Sequence, residues 1–214
     1  MNLFNALDGV KKIFLSAILE LIGTIVIVIG SFITIADFFS GDMLASAYTV
    51  SGIAVLVIFG GLFILVGFII SIIGINTASK DEEKFKIPLM LVTVQICLIV
   101  IKMFAPEGFG NVLDLIGNIL SLLVMFFVFD SIIAIAEKNN NEEMVEKGRA
   151  LRNFIIILYI VSVAMSVIVM FLINDPETIL IISLIASILS VVPYILYAIY
   201  LGNAKSMLES GIES

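Results

Sequence analysis

The chain alternates long apolar runs with short polar connections, and this pattern predicts transmembrane helices. An α-helix rises about 1.5 Å per residue, so about 20 apolar residues cross a hydrocarbon core of about 30 Å. Six runs reach or approach this length with few charges inside. The predicted spans are 13–36, 49–75, 87–104, 112–136, 154–173 and 179–201. The runs are long and lack a period of two, which excludes a transmembrane β-barrel.

The basic residues predict how these spans are oriented. Of the 11 Lys and Arg residues, all except Lys102 fall in the two termini or in the connections between spans two and three and between spans four and five. Basic connections stay in the cytoplasm, so both termini are expected there. The predicted fold is therefore all-α: a polytopic membrane protein with six transmembrane helices arranged as three antiparallel hairpins. One transmembrane domain is expected over residues 1–214.

Composition agrees with a membrane protein and removes several classes of chemistry. Hydrophobic residues make up 61% of the chain and charged residues 14%, with a mean hydropathy of +1.23, whereas soluble domains are about 45–50% apolar and about 25% charged. The chain has no histidine and one cysteine, Cys97. Ser-His-Asp triads and HExxH zinc sites are thus excluded. We expect no enzymatic activity, no cofactor, no metal site and no nucleic-acid partner, and we interpret Cys97 as a packing residue.

Small residues recur every seven positions in the first two spans. Helices in lipid associate through close backbone approach, which small side chains permit. We therefore expect spans one and two to pack tightly as antiparallel neighbours. The predicted packing residues are Ser16, Gly23 and Gly30 in span one, and Gly60, Gly67, Ser71 and Gly74 in span two.

Polar side chains lie at a similar depth in four of the spans. Glu20, Gln95 and Asp130 fall about 10–13 Å from the predicted cytoplasmic interface, and Tyr159 lies two turns into span five. One hypothesis is a cytoplasm-facing cavity in which Glu20 and Asp130 bind a cation or carry a proton. The alternative is that each carboxylate reaches the interface, or is protonated and hydrogen-bonded. No basic residue falls at this depth, so an ion pair is expected only if a long Lys or Arg stem reaches down. The polar layer continues along span six with Tyr194, Tyr197 and Tyr200.

The connection before span five predicts a helix that starts in the cytoplasm. Asn140 and Glu143 match the spacing of a capping box, and Glu143 and Lys147 are four residues apart. Span five should therefore extend into the cytoplasm by about three turns. This extension is either a docking helix for a partner or a solvated lead-in to the membrane.

Two functions are compatible with these features. The first is a small-solute or ion transporter, or a membrane subunit of one, with its polar site at Glu20, Gln95, Asp130 and Tyr159. In size and span number the chain resembles the substrate-binding subunits of energy-coupling-factor importers, which implies a partner ATPase subunit. The alternative is a non-catalytic accessory or scaffold that acts through helix packing and its cytoplasmic loops. Either protein would sit in a cell membrane, bacterial by expectation, as a single subunit, a homo-oligomer or part of a complex.

Overall fold

The computed structural model describes residues 3–40, 43–104, 106–172 and 175–213. These residues form six α-helices, with a 3₁₀ turn, Glu83–Phe85, directly before the third. The helices are α1 (Phe4–Ser40), α2 (Met43–Ala78), α3 (Lys86–Phe104), α4 (Glu107–Lys138), α5 (Glu142–Leu172) and α6 (Pro176–Glu213). The prediction of an all-helical chain is confirmed.

Five helical stretches are long and apolar enough to cross a membrane, and they contain most of the first five predicted spans. These stretches are Phe4–Ala36, Gly52–Ala78, Glu83–Phe104, Val112–Lys138 and Glu142–Met165. The sixth predicted span, 179–201, lies inside α6, which is 38 residues long. Several side chains in that part of α6, including those at 179, 180, 183, 184, 187 and 190, lie outside the described residues.

Large apolar side chains face outward along α2 and α3. Ile58 and Phe59 are 62% and 56% exposed, and Met103 and Phe104 are 77% and 83% exposed. Contiguous apolar surface of this kind is rare on soluble monomers. In lipid it carries no penalty, because acyl chains are as apolar as these side chains. The exposed surface is that of an integral membrane protein.

The chain divides into two compact units, and α1, α2, α5 and α6 each contribute to both. Unit 1 comprises Met1–Phe14, Ile70–Ile157 and Ile199–Ser214, and unit 2 comprises Leu15–Ile69 and Leu158–Ala198. In unit 1 the α4 stretch 131–136 is buried at every position. A helix that is buried on all faces has packing partners all around it.

Glycines bring α1 and α2 into backbone contact within each unit. In unit 2, a Cβ built on Gly23 would lie 2.6 Å from the carbonyl oxygen of Gly60, and one on Gly67 would lie 3.0 Å from that of Ser16. In unit 1, a Cβ on Gly74 would lie 2.8 Å from the carbonyl oxygen of Gly9. Later residues of α1 contact earlier residues of α2, so the two helices run antiparallel.

The glycine series is longer than the sequence analysis recognised. Gly9 lies seven residues before Ser16 and continues the heptad period of Ser16 and Gly23 by one step. A Cβ on Gly9 would lie 2.6 Å from the Ala78 Cβ. Gly30, by contrast, makes only an ordinary contact, 3.7 Å from the Leu56 Cβ. The close approach therefore extends toward the start of α1 and relaxes by Gly30.

Three consecutive asparagines, Asn139 to Asn141, join α4 to α5. Asn139 and Asn140 belong to the end of α4, and Asn141 also caps α5. Asn140 has a φ of 53°, the left-handed conformation that commonly terminates helices. The Asn140 and Asn141 amides donate to the carbonyls of Glu137 and Ala136, which forms a Schellman motif on α4. The Asn141 side chain then accepts from the Met144 amide at 3.0 Å and caps α5. The predicted capping box on Asn140 is wrong, because Asn140 closes the preceding helix instead.

The predicted extension of α5 is present. The helix begins at Glu142, about three turns before Phe154. Lys147 bonds Glu143 at 2.5 Å, which confirms the expected pair four residues apart. This hydrogen bond and the positive charge of Lys147 lower the pKa of the Glu143 carboxyl. The contact is therefore present at neutral pH and is lost as the pH falls through that lowered pKa.

Polar contacts in unit 1 tie the chain start to the connection between α2 and α3. Asp81 accepts from the side-chain amide of Asn5 at 2.8 Å and from the backbone amide of Ala6 at 2.9 Å. A carboxylate here satisfies the free amides at the start of α1 and complements the helix dipole. The neighbouring Glu82, only 4% exposed, pairs with Lys138 at the end of α4.

Adjacent glycines on α2 allow a matched test of the close packing. Gly60 lies against Gly23, whereas a Cβ on Gly61 would meet nothing within 4 Å. Because both substitutions gain the same helix propensity, the difference between Gly60→Ala and Gly61→Ala isolates the packing. We expect Gly60→Ala to be less stable by about 1–3 kcal/mol. Unfolding in detergent, followed by circular dichroism, measures this difference, and equal stabilities would contradict the packing.

Candidate functional site

Glu20 lies on α1, and its side chain fills space beside a glycine of α2. The Ser16 hydroxyl donates to Glu20 Oε1 at 3.0 Å. A Cβ on Gly67 of α2 would lie only 2.9 Å from the Glu20 Cγ. The methylene stem of Glu20 therefore occupies the volume that any larger residue at position 67 would fill. This glycine belongs to the packing series of α2 and also positions the carboxylate.

Three tyrosines from α5 and α6 belong to the same unit as Glu20. The hydroxyls of Tyr159 and Tyr194 are hydrogen-bonded to one another. The charge of Glu20 acts electrostatically on Tyr159, Tyr194 and Tyr197. Tyr197 is 7% exposed. Among the described residues, the carboxylate thus accepts a hydrogen bond from the Ser16 hydroxyl, and the tyrosines of the same unit are uncharged.

Asp130 has a different environment, because it is paired with Arg152 of α5. The Arg152 guanidinium also lies over the ring of Phe126, 4.9 Å from its centroid, a favourable cation–π arrangement. From the sequence, an ion pair at this depth is expected only where a long basic side chain reaches down, and that condition is met at Asp130. Arg152 is the exception foreseen for a long basic stem, since its side chain reaches from the start of span five to the carboxylate.

The distances of Asp130 and Arg152 from the asparagine link indicate this pair, whereas their depths in the predicted spans do not. Asp130 lies nine residues before Asn139, and Arg152 lies eleven residues after Asn141. Two helices joined by a tight three-residue link run side by side, so residues at similar distances from the link lie at similar levels, and a long Arg side chain spans a difference of two residues. Counting outward from the asparagines would have predicted this contact.

A buried aromatic cluster lies in the same unit as the pair. The rings of Phe129 and Tyr200 stack at 4.5 Å between centroids and 21° between planes. Gly148 of α5 lies against the Tyr200 hydroxyl, and a Cβ there would also approach Ile133 to 2.8 Å. Among the described residues, Arg152 Nε and the Tyr200 hydroxyl are the buried side-chain atoms that lack a hydrogen-bond partner. Tyr200, which the sequence places in one layer with Tyr194 and Tyr197, belongs to this cluster of unit 1.

Gln95 joins α3 to α4. Its amide nitrogen donates to the Ser121 hydroxyl at 2.7 Å, and that hydroxyl donates to the Gly117 carbonyl at 3.1 Å. Toward the far end of the two helices, Lys102 pairs with Asp114. Later positions of α3 contact earlier positions of α4, so these helices also run antiparallel. Gln95 has a structural partner of its own.

The four predicted site residues thus fall into two environments. Glu20 and Tyr159 belong to unit 2, and Gln95 and Asp130 belong to unit 1 with separate partners on α4 and α5. Within the described part of the chain, no group of three or more His, Cys, Asp or Glu side chains is arranged to hold a metal ion. The lone thiol of Cys97 is exposed on α3.

Comparison with protein-family models, with curated proteins and with solved structures produced no match. Function is therefore inferred from the chemistry of these residues.

The Asp130–Arg152 pair can be tested by a double-mutant cycle. In Asp130→Asn and Arg152→Gln each remaining charge is left in apolar surroundings, whereas the double variant removes both charges. We expect a coupling energy of about 1–3 kcal/mol from unfolding in detergent. The control cycle uses Glu143→Gln and Lys147→Gln on the same helix, where solvent screens the charges and the coupling should be much smaller. Equal couplings in the two cycles would contradict a partly buried, weakly screened pair.

Proposed function

We propose that the protein is a small-solute or ion transporter, or a membrane subunit of one, with Glu20 as its functional carboxylate. The observation that supports this proposal is the contrast between two acidic residues in the predicted spans. Asp130 is neutralised by Arg152, while none of the ion pairs among the described residues includes Glu20. An acidic group kept inside a membrane without a counter-ion is costly, and such groups mark ion and substrate pathways.

The surroundings of Glu20 suit a site that binds and releases its ligand. Ser16 and the tyrosine hydroxyls can each donate or accept a hydrogen bond. They can therefore serve a charged carboxylate, a neutral carboxylic acid or the polar group of a solute. A permanent cation such as Arg152 would instead hold the carboxylate in one state. We propose no enzymatic step for this site.

The proposed topology has three antiparallel hairpins with both termini in the cytoplasm of a bacterial cell. The contacts between α1 and α2, between α3 and α4, and between α5 and α6 support the three pairs. The distribution of basic residues supports the orientation, since basic loops remain on the cytoplasmic side. In this arrangement Glu20 lies in the cytoplasmic third of the bilayer, about 12 Å from Lys12 along α1.

An accessory role is the second candidate, and a surface groove favours it. In unit 1 the α5 extension and the end of α6 form a groove of about 320 Å³. Its lining combines polar and flexible apolar side chains, including Asn141, Met144, Asn203 and Met207. The flexible side chain of Met207 can adapt to a bound partner. This role requires the groove and leaves Glu20 dispensable, so the two candidates predict different variants to be defective.

Transport is tested with purified protein in liposomes. Solid-supported-membrane current recordings with a panel of ions, amino acids, sugars and nucleosides identify the substrate class. We expect Glu20→Gln to reduce the response to that of protein-free liposomes, because the amide cannot change its charge. The matched control, Glu146→Gln on the exposed α5 extension, should retain it.

Two results would reject this proposal. One is a wild-type protein that responds to no member of the panel. The other is Glu20→Gln that responds as the wild type does while folding normally by size-exclusion chromatography. A Ser206→Arg change, which fills the groove, should leave the response intact if the protein is a transporter.

A further inference from the structure

Within unit 2, the described groups that face Glu20 are uncharged. From α1 comes the Ser16 hydroxyl at 3.0 Å. From α2 comes Gly67, and the stretch Gly52–Ala78 contains no titratable side chain. Among the described side chains of α5 and α6, those that interact electrostatically with Glu20 are the phenols of Tyr159, Tyr194 and Tyr197.

These groups are a poor ligand set for a metal cation. Calcium takes six to eight oxygen ligands and magnesium about six, usually from more than one carboxylate or from backbone carbonyls. Glu20 is one carboxylate, and the Ser16 hydroxyl directs its proton at it rather than a lone pair into a shared cavity. The α-helical carbonyls nearby are already bonded, as the Thr24 hydroxyl donating to the Glu20 carbonyl at 2.8 Å illustrates.

The same groups suit a proton. An ionised carboxylate in hydrocarbon carries a large desolvation penalty, which a proton removes completely. At Asp130 the positive charge of Arg152 performs this neutralisation permanently. At Glu20 a proton performs it reversibly, because the acid can release the proton again.

We infer that Glu20 is a proton-binding site, and that the ion coupled to transport is H⁺. The coupling rests on the proposed function, whereas the binding site rests on the geometry alone. In each cycle the Glu20 carboxylic acid releases one proton to water on the side to which the site opens, and leaves a carboxylate. The Ser16 hydroxyl stabilises that carboxylate by donating its hydrogen bond until a new proton arrives.

Gly67 acts in this site as a positioning residue. A methyl group there would lie 2.9 Å from the Glu20 Cγ and 3.3 Å from its backbone nitrogen. The Glu20 side chain and the adjoining helix must then shift. Gly67→Ala should therefore change the pH at which Glu20 titrates, beyond any loss of stability. A purely structural glycine would leave that pH unchanged.

Infrared difference spectroscopy of the protein in liposomes tests the inference directly. We expect a carbonyl band of a protonated carboxylic acid that shifts in D₂O and disappears as the pH is raised. The band should be lost in Glu20→Gln, retained in Asp130→Asn and restored by Glu20→Asp, which keeps the carboxyl group. A wild-type spectrum without this band, or a band unchanged in Glu20→Gln, would overturn the inference.

A comparison of Na⁺ with choline distinguishes a proton site from a sodium site. When choline is replaced by Na⁺, the titration midpoint should stay where it was. A sodium ion that competes for the same carboxylate would lower the midpoint by about one pH unit for each tenfold rise in its concentration. That result would overturn the proton assignment and leave a Glu20-dependent transporter intact. A sodium-insensitive band in a protein that transports none of the panel would reject the proposed function and leave the proton site standing.

Discussion

A bilayer supplies neither counter-ions nor hydrogen bonds, and this constraint governs every polar atom in the spans. Each such atom must find its partner inside the protein, or must lose its charge. Gln95 takes Ser121, Asp130 takes Arg152, and Ser131 returns its hydroxyl to the Phe127 carbonyl at 2.7 Å. Glu20 accepts a hydrogen bond from Ser16 and has no cationic partner among the described residues. Its chemistry follows from that difference, because a carboxylate without a cation has protonation as its remaining route to neutrality.

The same solvent makes apolar burial a weak force between helices, so backbone approach replaces it. The α1–α2 contact shows this in both units, where glycines on one helix face backbone atoms of the other. Glu20 depends on this contact, because the space for its stem exists only where Gly67 has no side chain. The same residues therefore form the helix packing and the Glu20 site, so a substitution that alters the packing also alters the site.

The sequence predicted the elements well and the partners less well. Long apolar runs were sufficient to place five membrane-crossing stretches, since length and hydropathy are local properties. The Glu143–Lys147 pair was also local, four residues apart on one helix. The Asp130–Arg152 pair was missed because it depends on how α4 and α5 align. Asn140 was given the role of Asn141, because three identical residues leave the helix boundary undefined until the backbone angles are known.

The asparagine link gives α4 and α5 a mechanical property of their own. The link contains no additional flexible residue, since all three of its residues take part in ending one helix or starting the next. About nine residues away, Asp130 and Arg152 fasten the same two helices a second time. Two bodies joined at two separated points cannot slide or rotate freely past each other. In any conformational change of the protein, this part of α4 and α5 is expected to move as one rigid body, and the bending would fall on other segments.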